Sequence, residues 1–164
     1  MILATLMVFA AAIYRLVPHP WNVAPVAAMA MCGGMYLGKR YALIVPLAAM
    51  VVSDPFIGFT IVSPFVYACF IVSGLMGLWL RTRKSFGSIT GGTLAGSTLF
   101  YLVTNFAHWA LTDMYPKTAA GLWQCFVMAL PFFRGTLIGD ALFVAAFVAV
   151  MEWSARPARH AVPA

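Results

Sequence analysis

Charge is what this sequence has least of. Of 164 residues only 9% are charged and just four are acidic, against 63% hydrophobic. An ordinary soluble domain is about a quarter charged, so these residues cannot assemble a surface that water would solvate, and the mean hydropathy of +0.94 agrees. Metal-knuckle and disulfide spacings are lacking too. Cys32, Cys69 and Cys125 stand singly in apolar sequence with no C-x-x-C pair, which excludes a disulfide framework or zinc knuckle and leaves small buried hydrophobes. GSITGGT is Gly-rich but lacks the lysine of a phosphate loop, which excludes nucleotide-driven pumping by this chain alone. There is no G-x-S-x-G or other nucleophile beside a base, so no enzyme is expected.

What the chain does have is apolar sequence from Met1 to Trp153 with short polar breaks. This predicts a single integral membrane domain over residues 1–164, all-α and polytopic. The breaks divide it into six helices at about 2–16, 25–38, 41–52, 64–80, 89–111 and 135–153. The second and third are shorter than the roughly 20 residues needed to cross a hydrocarbon core, so either neighbours shield them or they form a re-entrant hairpin. Residues 119–133 are apolar but lie between Pro116 and the pair Pro131 and Arg134, and are expected to lie along or dip into the outer interface. The opening MILATLMVFAAAIYR has the apolar run of a signal peptide but not its positive n-region, so it is expected to be retained.

The net charge of +6 does not point to nucleic acid, because the basic residues fall singly or in short clusters between apolar stretches, where they mark topology. With the N-terminus inside, one side receives Lys39, Arg40, Arg81, Arg83, Lys84, Arg156 and Arg159, the other Arg15, Lys117 and Arg134. The excess predicts both termini in the cytoplasm of a bacterium with the chain in its inner membrane. Trp79 and Trp153 then fall at the inner interface and Trp21, Trp109 and Trp123 near the outer one, as aromatic belts require. Small residues four apart, Gly34 and Gly38, Gly92 and Gly96, Gly135 and Gly139, with Ser73 and Gly77, predict close helix contacts.

Polar residues within apolar sequence are costly to keep and so locate candidate chemistry. The predicted topology gathers His19, Asn22, Asp54, Asn105, His108, Asp113 and Arg134 near the outer face with Arg15, Tyr115 and Lys117. Three loops supply most of them, after the first, third and fifth spans, and predict a pocket opening outward. In RLVPHPWNVAP, three prolines stiffen a loop that presents His19 and Trp21, either to a ligand or to lipid headgroups. Asp54, just before Pro55, could cap a backbone, pair with Arg15 or Arg134, or bind a ligand cation. Asn105 and His108 lie three apart on one helical face, and Asp113 is about 140° further round. Asp140, inside the sixth span, is either a functional acid partnered by Arg134 or by a polar group of the fifth helix, or a hydrogen-bonding pin between helices. His19, His108 and Cys69 are the candidate ligands should a transition metal bind, although no His-x-x-x-His or related pattern joins them. No cofactor is expected.

The runs PHPWNVAPVAAMAMCGGMYLG, PLAAMVVSDPFIGF and TNFAHWALTDMYPKTAAGLWQCFVMALPFF resemble an uncharacterised family of small bacterial inner-membrane proteins. That family is similar in layout to the substrate-binding, or S, components of energy-coupling factor vitamin transporters. Those are six-helix proteins paired with a separate transmembrane coupling subunit and ATPases, and loops after their first, third and fifth spans close an outward pocket. The resemblance implies a binding subunit for uptake of a small solute or vitamin, with His19, Trp21, Asn22, Asp54, Asn105, His108, Asp113 and Arg134 around the ligand. ATLMVFAAAIY does not reproduce the A-x-x-x-A contact motif frequent in the first helix of S components. One S-component-like group handles cobalamin with a cysteine near its pocket, which would make Cys69 the position to test. The rival readings are a noncatalytic scaffold or assembly protein whose polar loops bind another membrane protein, and a membrane enzyme using His108 and Asp113 as acid and base.

Overall fold

The computed structural model describes residues 2–18 and 22–160. Among them the chain forms six helices and no strand: α1 (Ile2–Leu16), α2 (Val26–Cys32, continued by a π-helical turn Gly33–Leu37), α3 (Lys39–Ile57), α4 (Ser63–Leu80), α5 (Phe86–Leu111) and α6 (Ala119–His160). Three are long and apolar enough to cross a membrane: α3, α4 and residues Ala119–Trp153 of α6. Large apolar side chains face outward along them, Val51, Leu75, Ile138 and Leu142 among others. Only a surrounding of lipid accepts such a surface without cost.

The bundle is built around its shortest piece. Val26, Ala28, Met29, Ala30, Met31, Cys32 and Met35 of α2 and its π-helical turn are all buried. Val26 and Met29 pack with Val45, Ala49 and Met50 of α3 and Phe70 of α4; Ala28, Met31 and Met35 pack with Leu80 of α4 and Val144 of α6. Residues Val26–Leu37 rise only about 18 Å, too little for a hydrocarbon core of about 30 Å. Their neighbours shield them instead, the first of the two arrangements expected from sequence. The third helix is not short: it runs on through Pro46 and Pro55 to Ile57 over 19 residues.

Close approach comes from glycine, only partly where four-residue spacing placed it. A Cβ on Gly34 would strike the backbone of Gly74, one on Gly77 the carbonyl of Met31, and one on Gly74 that of Ala42, so α2, α3 and α4 meet backbone to backbone. Gly139 of α6 sits against Val23, and Gly92 beneath Leu80. Gly38, by contrast, packs no helix: with φ 99° it makes the turn into α3.

The largest correction concerns α6. Residues 119–133 are not a segment apart from a span at 135–153; both belong to one helix of 42 residues, about 63 Å long. Pro131 and Arg134 do not stop it. A proline removes one intrahelical hydrogen bond, and membrane helices tolerate that loss where neighbours re-satisfy the freed group. Alongside, Tyr101 of α5 donates to the carbonyl of Phe126 at 2.6 Å and lies 4.5 Å, ring to ring, from Phe133.

Candidate functional site

Two acids are buried inside this bundle, and they define the site between them. Asp54 stands in the last turn of α3, which ends at Gly58, where φ is 105°. Arg15 stands in the last turn of α1, where a cation suits the helix's negative end. The packing of α1 on α3 brings them together, Arg15 Nη2 lying 2.9 Å from Asp54 Oδ1. Tyr67 of α4 donates its hydroxyl to Oδ2 at 2.8 Å, and Arg15 Nη1 donates to Ser53 Oγ. Both carboxylate oxygens are therefore used, and the cluster clamps α1, α3 and α4 together. Pairing with Arg15, one of the roles foreseen for Asp54, is present.

Beneath the clamp lies a cavity of about 250 Å³ lined by Arg15, Asn22, Ala24, Ala27, Ile57, Val66, Phe70, Phe100, Thr136 and Asp140. A second compartment of about 130 Å³ shares Asn22, Phe100 and Thr136 with it and adds Tyr101, Thr104 and Asn105. Asn22 takes the left-handed conformation, φ 58°, that asparagine tolerates better than most residues. Asp140 of α6 is 6% exposed and receives the Ser97 hydroxyl of α5 on Oδ2 at 2.6 Å. A polar group of the fifth helix, and not Arg134, is thus its partner. Thr136, one turn earlier on the same face, gives its hydroxyl to the Phe132 carbonyl at 3.2 Å. A wider groove of about 870 Å³ runs between α5 and α6 past Leu94, Leu137 and Val148 to Lys84 and Glu152. Neither buried acid borders it.

The residues singled out in sequence are divided by the fold. Asn22 and Asn105 line the two compartments, and Asp54 sits in the clamp at their edge. The third polar loop folds upon itself. His108 Nε2 is 3.4 Å from Met114 Sδ and its ring 6.3 Å from that of Tyr115, while Trp109 donates to the Pro116 carbonyl and Lys117 to the carbonyls of Trp109 and Thr112. Asp113 and Arg134 are exposed, and with His108 they line neither compartment. The reason is that α5 runs on past Asn105, which borders the second compartment, to Leu111, and the loop that follows is tied to the end of α5 by its own hydrogen bonds. His19 and Trp21 lie outside the described residues. Cys69 is buried in α4, and no three His, Cys, Asp or Glu converge among the described residues. Phe70, Phe100 and Thr136 were not foreseen as lining. Only Thr136 left a trace in the sequence, four residues before an acid in an apolar run.

An all-helical bundle with a lipid-facing exterior and a cavity lined by one buried acid and edged by another defines a membrane protein whose polar chemistry is internal. The chain belongs to a family of unknown function (DUF6580), whose model matches residues 1–162. No curated protein and no solved structure matches it.

Proposed function

We propose that this chain is a multi-pass protein of the bacterial inner membrane, both termini cytoplasmic, that binds a small solute for uptake. The observation that carries the reading is the 250 Å³ cavity lined by residues of all six helices or their connections, with Asp140 in its wall and the Arg15–Asp54 pair at its rim. Ligand sites are largely apolar hollows with a few convergent polar groups, and this hollow combines two phenylalanines with an asparagine, a threonine and a carboxylate. The resemblance to S components supports this reading through the first and third loops only, since the loop after α5 lies away from the cavity; such a subunit would work with a separate transmembrane coupling subunit and its ATPases. Among the described residues that line the hollow no nucleophile stands beside a base, and binding is the activity we assign to it.

Purified full-length protein, melted in detergent against vitamins, amines, amino acids and divalent metal ions, tests the reading. At least one solute should raise the melting temperature as ligand linkage requires, and Thr136→Trp, which fills the cavity, should abolish the shift. A panel without effect on the wild type, together with a membrane protein cross-linking to the α5–α6 groove, would favour the scaffold instead. The topology has its own check. Cysteines placed at Lys84 and Lys117 should react from opposite sides of the membrane, and labelling of both from one side would remove the six-span arrangement.

A further inference from the structure

Among the described residues, Arg15 and Asp140 are the ionisable ones lining the main cavity, and only one of them is uncommitted. Arg15 is neutralised by Asp54, so the charge left in the cavity is that of Asp140. Among the described residues Asp140 has one partner, the hydroxyl of Ser97. Its other oxygen is not a sealed atom without a partner, so it opens on the space that Asp140 borders. Ser97 has one hydrogen and two acceptors within reach, Asp140 Oδ2 at 2.6 Å and the Thr93 carbonyl at 3.0 Å. The arrangement is short of a donor.

The neighbouring elements do not provide it. Around Asp140, α2 contributes Ala27, Ala28 and Met31, α4 contributes Ser73 and Met76, and α5 contributes glycines, Thr93 and Ser97. Tyr67 is spent on Asp54, and Arg134 faces outward. A buried carboxylate with no protein cation must either hold a proton or be balanced by a cation from outside. In the same cavity the Phe70 and Phe100 rings lie 5.7 Å apart and 23° from parallel, and aromatic faces attract cations. An anionic solute would be repelled by an ionised Asp140, and Arg15 in the same wall is already engaged by Asp54.

We propose that the solute is a small organic cation, a protonated amine or amidinium. Its N–H group supplies the missing donor at Asp140, and its body lies against Phe70 and Phe100. A proton and the cation compete for the same Asp140 carboxylate, so one positive charge can replace the other. The inference rests on the solute-binding reading above and names the ligand class for that site.

The test uses purified full-length protein in detergent and four probes of one shape: benzylammonium, benzamidinium, benzyl alcohol and benzoate. The two cations should bind, by calorimetry or thermal shift, and benzoate should not. Because proton and cation compete for one carboxylate, cation affinity should fall as the pH is lowered, by at most tenfold per pH unit. Asp140→Asn should lose cation binding while keeping a monodisperse elution profile. Should that variant not fold, the charge series and pH dependence of the wild type decide alone. Binding of benzyl alcohol or benzoate as tight as that of the cations, lost in Thr136→Trp, would overturn the cation assignment and spare the solute-binding reading. No binding by any probe, together with no effect across the wider solute panel, would overturn both.

Discussion

Asp54 and Asp140 are each 6% exposed, yet the two acids occupy opposite situations. Asp54, at a helix end, has an arginine on one oxygen and a phenol on the other. Asp140, in the middle of a helix, has a single hydroxyl and a cavity. Burial alone does not tell a structural acid from a site acid; the number of donors does. A carboxylate with its full complement ties elements together, and one with an incomplete complement waits for a ligand or a proton.

The sharpest way to break the comparison is to cut each acid. Asp54→Ala leaves the half-buried Arg15 guanidinium without its carboxylate partner and should cost about 3–5 kcal/mol of unfolding free energy, read by SDS titration in mixed micelles. The double change Arg15→Met with Asp54→Leu removes both charges and should recover most of that loss. If Asp54→Ala instead melts like the wild type, the clamp holds nothing. Next in size, Tyr67→Phe removes one hydrogen bond to a charged acceptor and should cost about 1.5–3 kcal/mol by the same titration. Smallest, Asp140→Asn keeps an acceptor for Ser97 and introduces no charge, so stability should stay within about 1 kcal/mol of the wild type. A loss there as large as that of Asp54→Ala would make Asp140 a second clamp and erase the distinction.

Much of the helical framework is legible in the residues, because lipid exposure demands long apolar runs and charges punctuate them. Arg15 was among the partners weighed for Asp54, and a fifth-helix group among those for Asp140. The continuity of α6 was not legible. Pro131 reads as a stop in any sequence, and only the packing of Tyr101 against Phe126 and Phe133 shows that the helix runs past it. That one misreading relocated the third loop, which is why His108 and Asp113 were expected at a pocket they do not line. Gly74 escaped notice for a similar reason: small-residue spacing suggests a contact face, but the carbonyl of Ala42 that needs the space lies on another helix.

By itself, then, the sequence determined that this is an all-helical protein made for lipid, with only four acids among its apolar runs, because 63% hydrophobic and 9% charged residues leave no other solvent for the chain. Only the tertiary structure decided which acid is satisfied and which is not. Partners such as Arg15 and Asp54, or Ser97 and Asp140, lie 39 and 43 residues apart, and packing between helices brings them within reach. Local pattern carries no record of a hydrogen bond made across that distance.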